Sequence, residues 1–151
     1  EVFAEVLGKL ERARVIGIDV SFLEETEKDA ELQAVISDKV VLALEFGGLE
    51  WREGFYGKNV LKPVIEAEYG CVNLLVDKDG LIRGFPKEVD GEEEYKSFGV
   101  KVAEMYSGEE FELRERELIS FFKGFRKVSF VDVLNDTEMV FENKIVLPLF
   151  L

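Results

Sequence analysis

The sequence contains no histidine. That absence removes the commonest general base, the commonest transition-metal ligand and the usual pH switch. Cysteine occurs once, at Cys71, so an internal disulfide framework is excluded and the redox compartment stays open. The flanks of Cys71, Tyr69-Gly70 and Val72, read as strand, and a buried inert thiol is expected there. Positive charge is scarce: 19 basic residues against 32 acidic ones leave a formal charge of −13. Such a surface repels phosphate backbones and anionic headgroups, which excludes nucleic acid as a partner class. No apolar span of 18 residues and no signal-peptide pattern occurs, so no segment reads as a membrane crossing. Phosphate-loop and dinucleotide fingerprints are missing too, and Gly47-Gly48 with Gly54-x-x-Gly57 is too loosely spaced to replace them.

What is present suits one domain over residues 1–151, with 47% hydrophobic and 34% charged residues and enough length to bury a core without disulfides. A single glutamine beside abundant lysine and glutamate is a heat-adapted balance. The stretch that organises the chain is Ala13-Arg14-Val15-Ile16-Gly17-Ile18-Asp19-Val20-Ser21-Phe22. Apolar residues on both parities read as an interior parallel strand covered on both faces. Asp19 and Ser21 then fall near its carboxyl end, where open α/β sheets place their ligand crevice.

Around that strand, Val2, Phe3, Val6, Leu7 and Leu10 form the stripe of an amphipathic helix over residues 1–10. Residues 29–37 form a second helix, with Thr26 and Asp29 spaced like a capping box. Residues 39–46 read as a second buried strand ended by Gly47-Gly48, joined to the first by a right-handed crossover. Residues 47–62 mix glycine with Trp51, Phe55 and Tyr56, and read as a flap over the end of the sheet. Residues 69–76 and 81–86 form a hairpin about Asp77-Lys78-Asp79-Gly80. A helix over residues 95–106 follows Glu92-Glu93-Glu94. Residues 111–122 read as an edge strand alternating in charge, residues 128–134 as a short element, and residues 144–149 as a closing strand with Pro148 at its end. The apolar residues 145–151 either close the sheet or lead into a membrane helix beyond it. The predicted fold is α/β: three layers, a mixed, mostly parallel sheet with flanking helices and an added β-hairpin.

The order of these landmarks resembles the type-2 CHASE domain. The matching blocks are Val15-Ile16-Gly17-Ile18-Asp19-Val20-Ser21-Phe22, Asp29-Ala30-Glu31-Leu32 and Lys39-Val40-Val41-Leu42-Ala43. Gly70-Cys71-Val72-Asn73, Asp79-Gly80-Leu81-Ile82-Arg83 and Pro86 follow. Phe122-Lys123-Gly124, Ser129-Phe130-Val131-Asp132-Val133-Leu134 and Phe141-Glu142-Asn143-Lys144-Ile145-Val146-Leu147 complete the set. Family members usually begin with a further strand and an aspartate-containing turn, absent from this sequence. The resemblance implies an extracytoplasmic sensory domain, tethered by flanking membrane helices outside this chain. Its expected role is to relay a signal to a cytoplasmic cyclase or kinase.

Candidate ligand-binding residues are Asp19, Ser21, Glu45, Trp51, Asn73 and Arg83. Asp19 can bind a polar ligand, or a cation with Glu24 or Glu45; it can equally cap a helix or hold its turn. Asn73 and Arg83 lie on opposite arms of the hairpin and are expected to face one another. Arg83 can hold an anion bidentately or pair with a neighbouring carboxylate. Trp51, Phe55 and Tyr56 can line an apolar pocket or fasten their loop. Asp77-x-Asp79-Gly80 resembles the opening of a calcium loop, but the flanking strands fit a turn instead. No catalytic residue, metal or cofactor is expected. Ser21, Ser97 and Cys71 are nucleophiles that, without histidine, need a lysine or carboxylate as base. Partners are expected to be a small molecule or a protein, with a homodimer left open. Two other readings stand beside the sensor: a small hydrolase using Asp19 with Glu24 or Glu45, and a module that only dimerises.

Overall fold

The computed structural model describes residues 2–91, 93–119, 124, 126–135 and 140–148. In chain order the elements are α1 (Val2–Lys9), β1 (Val15–Ile18), α2 (Asp29–Gln33), β2 (Val40–Trp51) and β3 (Phe55–Leu61). Then come β4 (Glu68–Cys71), β5 (Leu75–Val76), β6 (Ile82–Pro86), β7 (Glu88–Asp90) and β8 (Glu94–Lys96). The chain continues through α3 (Phe98–Ser107), β9 (Arg116–Leu118), α4 (Phe130–Asn135) and β10 (Ile145–Val146).

All four residues of β1 are buried, because both edges and both faces are covered. It pairs in parallel with β2 on one edge and with β10 on the other. Ile16 and Ile18 pack into a core with Val6, Leu7 and Leu10 of α1, Leu32 of α2 and Val133 of α4. On the opposite face Val15 joins Val41 and Val102, the last from α3. A side chain at Gly17 would strike Leu147, Phe98 and Val102 within 3.0 Å, so glycine is what lets α3 approach this face. The sequence-predicted interior strand and the three layers are therefore present.

Among the described residues the seven-stranded sheet has four parallel and two antiparallel pairings, the mixed, mostly parallel sheet expected, and β5, β6 and β9 form a separate three-stranded antiparallel sheet. A second core lies beyond the first. The pairings run from β2 to β3, β7 and β8, across a Cys71–Ser97 bridge to β4, and back to β2. This closed circuit surrounds Leu44, Phe46, Cys71, Val89 and Tyr95.

Several predicted elements are corrected. Residues 47–62 are not a flap but the antiparallel β2–β3 hairpin, with Trp51 opposite Phe55. Gly47-Gly48 does not end β2, since a partner strand carries it on to Trp51. Residues 69–76 divide: β4 joins β2 in parallel, and only β5 forms the hairpin with β6. Tyr95 belongs to β8, where its ring meets Phe46 edge-on, and the following helix begins at Phe98. Helix α2 is shorter than expected, although the Asp29 carboxylate does accept the Thr26 N–H at 2.8 Å. Within residues 111–122 only Arg116–Leu118 is described as strand. Residues 120–123, which carry two residues of the aromatic-basic-glycine triplet, lie outside the described residues.

Two glycines in neighbouring strands separate a packing role from mere tolerance. A Cβ at Gly70 would sit 2.5 Å from the Phe98 backbone, whereas one at Gly48 meets nothing within 4 Å. Gly70→Ala is expected to lower unfolding free energy by about 1–3 kcal/mol through overpacking. Gly48→Ala is expected to change it by less than about 0.5 kcal/mol. Urea titration of both variants checks the contrast.

Candidate functional site

An open groove of about 380 Å3 lies between the hairpin and the segment entering β5. Leu49, Glu50 and Trp51 of β2 with Phe55 of β3 form one side; Asn73, Leu74, Leu75, Val76 and Arg116 of β9 form the other. It exists because β2 outruns β4: the β4 pairing stops at Leu44 opposite Cys71, while β2 continues seven residues further on β3 alone.

Asn73 closes the ladder where β4 ends. The Phe46 N–H donates to Asn73 Oδ1 at 2.7 Å, and Asn73 Nδ2 donates to the Phe46 carbonyl at 2.8 Å. One side-chain amide thus imitates the backbone of a neighbouring strand residue. The Cys71 thiol donates to the same Oδ1 at 3.2 Å. Burial pushes that thiol up to about 11, a backbone hydrogen bond at Asn73 only partly opposing it, so Cys71 is protonated and unreactive at neutral pH.

Trp51 stands 59% exposed at the tip and meets Phe55 edge-to-face at 4.9 Å. Glu50 holds Arg52 at 2.8 Å and pairs with Lys58, and those hydrogen bonds lower its pKa. Across the groove Arg116 is anchored by Asp77. Asp77 also takes Arg83 at 2.9 Å, and Asp79 takes it at 2.7 Å. The β5–β6 turn is therefore an ionic cluster of two carboxylates and two guanidinium groups, closed by Gly80 at φ +80°.

The six sequence-predicted residues separate. Trp51 and Asn73 come together in the groove. Arg83 lies in the ionic cluster, and the expected Asn73–Arg83 juxtaposition is corrected: each is taken up by other partners. Asp19, Ser21 and Glu45 are exposed and outside the groove lining. Asp77 and Asp79 serve arginines rather than a cation, and among the described residues no group of three or more His, Cys, Asp or Glu is placed to hold a metal. Arg116 was the missed member. Its alternating neighbours announced an exposed edge, but nothing local announced a partner at Asp77, 39 residues away.

Asn73→Ala leaves the Phe46 amide and carbonyl without their partner and is expected to cost about 1–3 kcal/mol in a denaturant titration. The ionic cluster adds a pH effect. The Arg116 and Arg83 hydrogen bonds hold Asp77, and Arg83 holds Asp79, below the ordinary aspartate value of 3.8. A depressed folded-state pKa gives stability that is complete above 3.8 and is lost as pH falls through the lowered value. The stability difference between the native chain and Asp77→Asn is therefore expected to shrink on acidification below that point; a constant difference would refute the pairing.

No helix among the described residues is long and apolar enough to cross a membrane. A family model described as the CHASE2 domain matches residues 1–147. No curated protein and no solved structure matches the chain.

Proposed function

The chain belongs to the CHASE2 domain family, a family of extracellular sensory domains in signalling receptors, and from that premise we propose that it is the ligand-sensing part of a membrane-bound receptor. In this reading it lies on the extracytoplasmic face of the membrane, and membrane helices outside residues 1–151 join it to a cytoplasmic cyclase or kinase. The family is sensory rather than catalytic, and the domain acts by binding.

The observation that supports a binding role is the groove between Trp51 and Asn73. Its walls mix exposed apolar side chains, Trp51, Leu74 and Val76, with at least as much polar surface, so a ligand can be held there by both kinds of contact. Its two sides belong to different parts of the fold, the β2–β3 hairpin and the β5–β6–β9 sheet. A ligand spanning both favours one spacing of the two over another. Only such differential affinity moves a conformational equilibrium, and a tenfold shift needs about 1.4 kcal/mol of it. Asp19 and Ser21 are not needed for this role, and no observation favours a hydrolase at Asp19.

The test uses the whole receptor. A reporter fused next to the domain is expected to register outside the cytoplasm. Trp51→Ala combined with Val76→Lys is expected to change the ligand response of the cyclase or kinase by tenfold or more. A cytoplasmic reporter signal, or an output indifferent to both changes and to every ligand, overturns the proposal.

A further inference from the structure

Resting on that reading, we infer that the groove receives an extended polypeptide segment of another protein, which adds as a strand beside β2. Three observations converge on a backbone as the occupant. The first is an unfilled ladder. On one edge β2 is accompanied by β1 and then by β3; on the other β4 stops at Leu44, and no described strand lies beside residues 47–51. A strand edge with unpaired N–H and C=O groups is a template for another chain.

The second is the hydrogen bonding of Asn73. Its amide meets the Phe46 N–H and carbonyl as a neighbouring strand would. The outer edge of β2 is thus in hydrogen-bonding use up to the mouth of the groove, and among the described residues the next positions along it have no such partner strand. The third is the space. A Cβ added at Gly48 would have open space for 4 Å around it, and glycine within a strand marks where another backbone can come close. Opposite, β5 is paired among the described residues on one edge only, by β6.

The side chains set the character of the segment. Trp51, Leu74 and Val76 line the groove at 59%, 47% and 65% exposure, and alternate apolar residues of an added strand cover them. The two lining charges, Glu50 and Arg116, are already paired, so the groove asks for no fixed ion. Long-range charge then decides between partners. With −13 on each chain, a second copy or an acidic segment is repelled, whereas a neutral or basic one is steered in.

A displayed library of random peptides, selected against the 151-residue chain, tests this. The expected binders are neutral or basic with apolar residues at every second position. N-methylation of a selected peptide at one parity is expected to weaken it at least tenfold, and at the other parity to leave it nearly unchanged. Trp51→Ala, checked for an unchanged thermal midpoint, is expected to weaken it similarly. Binders insensitive to N-methylation at either parity overturn the strand geometry. If no peptide is selected while a metabolite panel yields a groove ligand, the peptide inference fails and the sensor reading survives. If neither class binds and receptor output ignores the groove, both fail. A dimer that Trp51→Ala converts to monomer would show that a second copy fills the surface, and overturns the inference as well.

Discussion

Strand β2 is shared by three hydrophobic clusters, and the rest of the molecule is arranged to satisfy its backbone along twelve residues. Its first five residues are buried on both faces, between α1, α2 and α4 on one side and α3 on the other. Leu44 and Phe46 then enter a second core built from short strands. A buried N–H or C=O left unpaired costs about 1–3 kcal/mol, so each step of β2 needs a neighbour at its edge. Strands β1 and β4 serve the lower half, β3 and the Asn73 amide the upper. Where burial ends, at Gly47, the requirement ends as well, because water can take the place of a strand. The groove therefore begins where unpaired backbone becomes tolerable.

Magnitudes rank the contacts that hold the groove in shape. The ion pairs of Arg83 and Arg116 with Asp77 and Asp79 lie at the surface, where water screens such pairs and they add little stability. They set the geometry of the β5–β6 turn more than its stability. Asn73 is partly buried and answers for two backbone groups at once. Its loss disturbs the second core as well as the groove, since Phe46 fills the space over Gly57 and Gly91. Groove and core thus meet at one side chain.

What the sequence made legible was whatever depends on near neighbours. The doubled apolar parity of Val15 to Ile18 announced an interior strand, and Asp79-Gly80 announced its turn. Trp51 and Asn73 lie on one groove, and that they bind a ligand there is a proposal. The path of residues 47–62 was not legible, because glycines needed for close packing look the same as glycines needed for loops. Gly57 is buried against the Phe46 ring, a contact eleven residues away that no local pattern encodes. The closed circuit of short strands was hidden for the same reason: the β4–Ser97 and β3–β7 pairings each join distant stretches through a single residue pair. The splitting of residues 69–76 follows from Asn73 turning to serve β2 rather than extending toward Arg83.

The two open strand edges near the groove differ in a way that bears on its use. Strand β9 also ends a sheet, but its alternation Arg114-Glu115-Arg116-Glu117 guards it. Antiparallel pairing about a two-fold axis sets each residue against one of its own parity. Centred on Arg116, it opposes Arg116 to Arg116 and Glu115 to Glu117; centred on Glu115, it opposes Arg114 to Arg116. Every such register stacks like charges, which is destabilising, so β9 resists pairing with a copy of itself. The β2 edge over residues 47–51 carries no proline and no lysine, and its one carboxylate is held by Lys58 and Arg52. Natural sheets shield an exposed edge unless something is meant to cover it. Here one edge is shielded and the other, lined by Trp51 and Val76, is left bare among the described residues, and that asymmetry is what a receiving edge requires.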